Sequence, residues 1–275
     1  MVKSEERLKI LAKIDEYERA GKWDVDVEDD PETIELLPNK VDYLNKKLSS
    51  KIATYIANKK GQNFFEKMLK NRQMIIKDII GIENYLSVDG GAIITCNHFN
   101  ACDNYAIQKA IGKYLGKRRL YKVIREGNFT NYPGIIGFFF RHCNTLPLSS
   151  NTQTMKKFLH AVKVLLNRGE KILIYPEQAM WWNYRKPRPL KSGAFNLALS
   201  NNVPIIPTFI TMEDSDETDP NGFPVQAYTI NFLSPIYPQA NLSKKDNIEF
   251  MANENYRLWV ETYEKFYNTK LEYLK

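Results

Sequence analysis

The stretch 92–103, AIITCNHFNACD, sets a histidine at the end of an apolar run and an aspartate five residues later. Asn100 can cap a helix that begins there, which puts Asp103 in the first turn, near the positive end of the helix dipole. An ionised carboxylate turned back on one imidazole nitrogen fixes the tautomer and supports the charge that forms when the other nitrogen takes a proton. His98 and Asp103 therefore have the types and spacing of a general base acting on a hydroxyl. The same spacing also fits a histidine satisfied within the core. Cys102 lies between the two and offers a thiol as an alternative nucleophile. Cys96, His98, Cys102 and Asp103 are all metal-ligating types, but a helix starting at Asn100 keeps the four from converging on one zinc ion, so no metal is expected.

A base of this kind needs rigid elements behind it. Short apolar runs at 91–96, 120–125, 144–148, 171–175, 205–211 and 225–233 read as strands, with helices near 103–116, 152–168 and 190–200. That alternation predicts an α/β fold, a mostly parallel or mixed sheet flanked by helices. A last helix over 244–272 places Ile248, Met251, Trp259, Tyr263 and Phe266 on one face. Residues 1–75 read as an N-terminal helical region, and 76–275 as the catalytic domain. Leu8, Leu11, Ile14 and Tyr17 mark a helix over 4–20 that Gly21 ends. Asn39 is a candidate cap for a second helix carrying Val41, Leu44, Leu48, Ile52 and Tyr55, and Gly61 separates it from a third with Phe64, Met68 and Leu69. Between them lies an acidic linker, Asp24, Asp26, Glu28, Asp29, Asp30, Glu32 and Glu35, broken by Pro31 and Pro38.

With 275 residues, 43% hydrophobic and 26% charged, the chain can bury a sizeable core, which excludes a disulfide scaffold or a disordered chain. The net charge of +7 favours anionic partners. Three cysteines without C-x-x-C pairing, and an N-terminus charged throughout, point to a reducing cytosol rather than secretion. The longest apolar run, 135–140, is too short to span a bilayer and is interrupted by Gly137. Contact with a membrane is thus expected at its surface.

Four blocks in order give the base a context. Asn97-His98-Phe99-Asn100-Ala101-Cys102-Asp103, Ile174-Tyr175-Pro176-Glu177-Gln178, Lys191-Ser192-Gly193-Ala194 and Val203-Pro204-Ile205-Ile206-Pro207 resemble the glycerolipid acyltransferase family, typified by 1-acylglycerol-3-phosphate acyltransferases. Its patterns are N-H-x-[ST]-x-x-D, F-P-E-G-T-R-S, K-x-G-A and V-P-I-[VI]-P. The resemblance spans roughly 90–210 and implies a glycerol-3-phosphate acyltransferase-like fold with the site at the strand ends. It implies transfer of a fatty acyl group from an acyl thioester, acyl-CoA or acyl carrier protein, to a hydroxyl of a lysophosphatidate-like glycerolipid precursor. His98 would deprotonate that hydroxyl, Asp103 would orient His98, and Glu177 would help shape the acceptor site. No other cofactor and no covalent enzyme intermediate are implied.

The chain departs from the family at both arginines taken to hold the acceptor phosphate. Ser150 stands at the one in the second block, G-x-I-x-[VI]-x-R, and Met180 at the one in the third, with Gln178 and Ala179 replacing Gly and Thr. Either the anion site has moved to Arg185, Lys186, Arg188 and Lys191, or to Arg141, or the acceptor is a lysophospholipid, amino-lipid or glycolipid without a phosphomonoester. A non-catalytic lipid-binding relative is the further alternative. The basic run Lys109, Lys113, Lys117, Arg118, Arg119, Lys122 and Arg125 is either a solvated helix end or a face for anionic headgroups and the carrier's phosphates. No recognition motif for nucleic acid accompanies it. The run 134–140 suits the core, an acyl-chain wall or a membrane-dipping surface. Trp181, Trp182 and Tyr184 suit an interfacial anchor, the core or a lid. The expected location is the cytoplasm, peripherally at a membrane.

Overall fold

Strands that are apolar without alternation must be covered on both faces, and 92–94 and 172–174 are of this kind. The computed structural model describes residues 2–29 and 32–275. In chain order the elements are α1 (Glu5–Arg19), α2 (Leu48–Lys70), β1 (Ile75–Ile80), α3 (Ile82–Leu86), β2 (Ala92–Thr95), α4 (Asp103–Ile111), a 3-10 turn (Gly112–Tyr114), β3 (Leu120–Ile124), α5 (Glu126–Thr130), α6 (Gly134–His142), β4 (Thr145–Pro147), α7 (Thr152–Asn167), β5 (Lys171–Ile174), α8 (Gly193–Ser200), β6 (Ile205–Thr218), β7 (Pro224–Phe232) and α9 (Lys244–Tyr267).

They form one seven-stranded sheet in the order β1-β7-β6-β2-β5-β3-β4. Strands β2 to β6 run parallel, β7 is antiparallel to β6, and β1 is parallel to β7. The mixed α/β sheet expected from the sequence is the fold. Every residue of β2 and β5 is buried. Ile93 aligns with Ile172 and Ile205 and packs with Phe158, Val162 and Met251 under α7, α8 and α9. Ile94 aligns with Leu173 and Ile206 and packs with Tyr105, Ala106 and Ile107 of α4 on the opposite face. Each such side chain contributes about 1.5–3 kcal/mol by leaving water. Gly91, just before β2, is needed for close approach: a Cβ there would lie 2.1 Å from the Leu166 carbonyl oxygen.

The N-terminal region departs from the expectation in one respect. Residues 39–47 are not helical, because the Asp42 carboxylate accepts from the amides of Lys46 and Lys47 and closes a turn. Val41 and Leu44 reach the sheet from that turn. A single helix, α2, then runs unbroken through Gly61, where two were expected on either side of it. Strand β1 and α3 were not expected either. Ile75-Ile76-Lys77-Asp78-Ile79-Ile80 is an edge strand with charges at its centre and a register irregularity at Ile76/Asp78, features that protect an edge and mask a strand pattern. The expected domain boundary at 75/76 falls at the start of β1. Helix α9 stops at Asn268, which takes the left-handed conformation, rather than continuing to 272.

Helix α1 buries Ile10 and Ile14 against Val27, Trp181, Trp182 and Phe223. The two tryptophans are therefore core, not an interfacial anchor, and the Trp181 indole N–H donates to the Val25 carbonyl at 2.9 Å. The acidic linker lies along basic partners: Asp24 pairs with Lys191 at 2.7 Å, Asp26 with Arg125, and Glu28 with Arg7 at 2.6 Å. Asp30 and Pro31 lie outside the described residues. Among the described residues no helix is long and apolar enough to cross a membrane.

Candidate active site

The site lies beyond the carboxyl ends of β2 and β5, where open α/β sheets place their ligands. After β2 the chain is held by Asn97, whose side-chain amide donates to the Ile210 carbonyl (3.0 Å) and accepts from the Ile210 amide (2.8 Å). That pair of hydrogen bonds to β6 fixes where His98 emerges. Asp103 begins α4. Asn100 does not cap the helix, whose N-cap residue is Cys102; its side chain accepts from the Cys102 amide at 2.9 Å and closes the turn just before the helix.

His98 Nδ1 lies 2.8 Å from Asp103 Oδ2, and the same oxygen accepts from the amides of Phe99 and Asn100 at 3.1 and 3.3 Å. Asp103 is fully buried, whereas the His98 side chain is 22% exposed. The imidazole lines a cavity of about 2160 Å³. The Tyr175 ring stacks on it at 4.0 Å between centroids and 17° between planes, and the Tyr175 hydroxyl donates to Asp103 Oδ1 at 2.5 Å. Burial and the Asp103 charge push the Tyr175 hydroxyl well above its ordinary pKa. Burial, followed by Asp103, pushes the Cys102 thiol up to about 11, so Cys102 stays protonated and is a poor nucleophile at neutral pH.

Glu177 and Arg188 are 2% and 1% exposed and form an ion pair at 2.8 Å. Glu177 Oε2 also accepts from the His98 amide (3.0 Å) and Oε1 from the Arg188 amide (2.9 Å). Arg188 donates further to the carbonyls of His98, Ala179 and Trp23 and lies over the Trp181 ring. The pair thus holds the peptide of His98 from both sides. Both Glu177 oxygens and both terminal nitrogens of Arg188 are engaged within the protein and neither residue lines the cavity, so the pair bears on the site through the His98 backbone.

The other cations expected to hold a phosphate are also engaged. Arg185 donates to Asp214 (2.5 Å) and Gln226 (2.9 Å) and does not line the cavity. Arg141 donates to the carbonyls of Tyr132 and Phe129 and likewise stands outside the cavity lining. Lys186 pairs with the buried Glu18 at 2.6 Å. Lys191 does line the cavity, but in its pair with Asp24. Gln178, at the family's glycine, takes φ 67°, the left-handed conformation glycine adopts freely and glutamine does not.

The sequence reading missed two contributors. Tyr175 was noted only as part of a block. Lys122 was counted in a surface run, yet it lines the cavity and its amine donates to the Cys143 carbonyl at 3.0 Å. Among the described residues it has no carboxylate partner, and burial pushes its pKa down. A lysine inside the strand pattern Leu-Tyr-Lys-Val-Ile was the available signal. Ile135 and Ile136, on α6, are more than half exposed at the cavity rim, which removes the core reading of that part of 134–140.

Residues 78–211 match the family model Acyltransferase. Over 150 residues the chain is 27% identical to a chloroplastic 1-acyl-sn-glycerol-3-phosphate acyltransferase, BAT2, of Brassica napus. That stretch is 53% of this chain and 39% of the relative's length. The fold is similar to the 1-acyl-sn-glycerophosphate (LPA) acyltransferase PlsC from Thermotoga maritima, with a TM-score of 0.56 and 16% identity, covering 84% of this chain and 87% of that one.

Proposed function

We propose that this chain, whose residues 78–211 match the family model Acyltransferase, works as a glycerolipid acyltransferase and moves a fatty acyl group from an acyl thioester to a hydroxyl of a lysophosphatidate-like acceptor. The carrying observation is the buried Asp103 carboxylate 2.8 Å from Nδ1 of a histidine that lines the large cavity. His98 Nε2 takes the acceptor's hydroxyl proton as the oxygen attacks the thioester carbonyl. The carbon–sulfur bond then breaks, and the departing thiolate receives the proton from the imidazolium. Asp103 stays ionised and balances that imidazolium. The donor is acyl-CoA or acyl carrier protein, and no further cofactor takes part.

A second reading, an acceptor without a phosphomonoester, is favoured by Ser150 and Met180 and by the engagement of Arg141, Arg185, Arg188 and Lys191 within the protein. Both readings are tested by incubating the purified chain with acyl-CoA and acyl carrier protein donors and a panel of lysophosphatidate, glycerol-3-phosphate, lysophospholipid and glycolipid acceptors. His98→Ala should lower kcat/KM at least about a thousandfold without changing the fold, the scale on which loss of a general base acts. No transfer to any acceptor would leave a lipid-binding relative, whereas undiminished transfer by His98→Ala would falsify the assignment of His98 as the base.

A further inference from the structure

We infer that Tyr175 is a positioning residue for the base: its hydroxyl holds the Asp103 oxygen that His98 does not use, while its ring supports the imidazole. This rests on the reading of His98 as the general base. Tyr175 directly follows β5, the strand paired with β2, so the two chains leave the sheet side by side. Two contacts then tie one residue to the pair: the ring stack on His98, 4.0 Å between centroids and 17° between planes, and the 2.5 Å hydrogen bond to Asp103 Oδ1. The family pattern quoted above has phenylalanine here, which would supply the stack and no donor. The hydroxyl is what this chain adds.

A buried carboxylate is stabilised as an anion by every donor it accepts. Asp103 Oδ2 accepts from His98 and two amides, and the Tyr175 hydroxyl serves Oδ1. Without the hydroxyl, Oδ1 lies buried without that donor and more of the negative charge falls on Oδ2, beside His98. The imidazolium is then favoured, and the neutral base forms only at higher pH. The hydroxyl thus keeps the base available at lower pH.

The neighbouring groups leave this effect uncluttered. Cys96, at the end of β2, and Tyr228, on β7, are buried and pushed upward by that burial, and Cys102 beside α4 stands at about 11. These thiols and this phenol stay neutral between about pH 5 and 9. Glu177 is ion-paired with Arg188 on the backbone side of His98. Tyr175, itself raised by burial and by Asp103, remains a donor throughout.

The test is the imidazole titration of His98 in the full chain by NMR. The chain has three histidines, so the signal is assigned with His98→Asn. Wild type is compared with Tyr175→Phe, which keeps the ring, beside the pH dependence of kcat/KM. The His98 midpoint and the acid limb of kcat/KM should both rise by about 0.5–1 pH unit. The maximal kcat should fall about tenfold with both KM values within about twofold. Tyr175→Leu, which also removes the stack, should lose more. An unchanged or lowered midpoint in folded Tyr175→Phe overturns the inference. Should the wild type prove to have no transferase activity, the functional reading fails, while the titration still decides whether Tyr175 governs His98.

Discussion

At the scale of single residues, the charges nearest the base are structural before they are chemical. Removing one member of the Glu177/Arg188 pair leaves the other buried and uncompensated, which costs about 3–5 kcal/mol. Arg188→Met and Glu177→Gln should each lower the urea midpoint sharply, and the double substitution should recover part of the loss. Full stability in Arg188→Met with a raised acceptor KM would instead make Arg188 a substrate clamp. Lys171 offers a second check. It is 2% exposed, donates to the Val88 carbonyl at 2.7 Å, and is pushed down to about 8 by burial, from 10.5. Between those values the unfolded chain holds more protons than the folded one, so this residue's contribution to stability rises with pH. The stability difference between wild type and Lys171→Met should therefore shift in favour of the wild type from pH 8 to 10.5 in urea titrations. A pH-independent difference would mean that the amine is not perturbed. None of these roles was legible in the sequence, because Glu177 and Arg188 meet only through the path of the loop between them and Lys171 finds its carbonyl 83 residues away.

Among the elements, α2 and α6 both line the cavity, and each contains a glycine with a different meaning. Gly61 was read as a break, yet it lies buried in the middle of α2 where that helix packs on α6. A Cβ at 61 would sit 3.5 Å from Cys143 Sγ, an ordinary contact. Gly61→Ala should therefore raise the unfolding free energy by about 0.5–1 kcal/mol, the usual penalty for glycine inside a helix, and the midpoint with it. A lower midpoint would show that α2 and α6 have no room for a methyl group. Gly137 on α6 is the control, since a Cβ there would stand 1.7 Å from the Tyr132 carbonyl oxygen and must displace the helix. The central strands were readable because burial on both faces demands continuous apolar residues. Strand β1 was not, because Lys77 and Asp78 interrupt its pattern, and its place beside β7 is a pairing across about 150 residues that no local window contains.

For the whole molecule, the +7 charge and the exposed apolar side chains belong to one argument about location. Ile52 and Tyr55 on α2 and Ile135 and Ile136 on α6 are 52%, 67%, 55% and 56% exposed, with Lys51, Lys59 and Lys60 on α2 beside them. An anionic bilayer would take up the apolar side chains and attract the lysines, each cation contributing about 1 kcal/mol near such a surface. Co-sedimentation with vesicles containing anionic lipid should exceed that with neutral vesicles, weaken with salt, and fall on Ile136→Asp. Equal binding to both vesicle types would remove the electrostatic part of this expectation. The order of the four blocks and the central strands with the helices between them were determined by the sequence alone, since the periodicity of burial and the local chemistry of His98 and Asp103 are written in residues close along the chain. The tertiary structure alone decided that Trp181 and Trp182 are core, that Glu177 and Arg188 clamp the His98 peptide, and that Tyr175 reaches Asp103. Those outcomes depend on which distant segments the sheet order brings together, and a buried charge or hydroxyl takes its role from the partner it meets there.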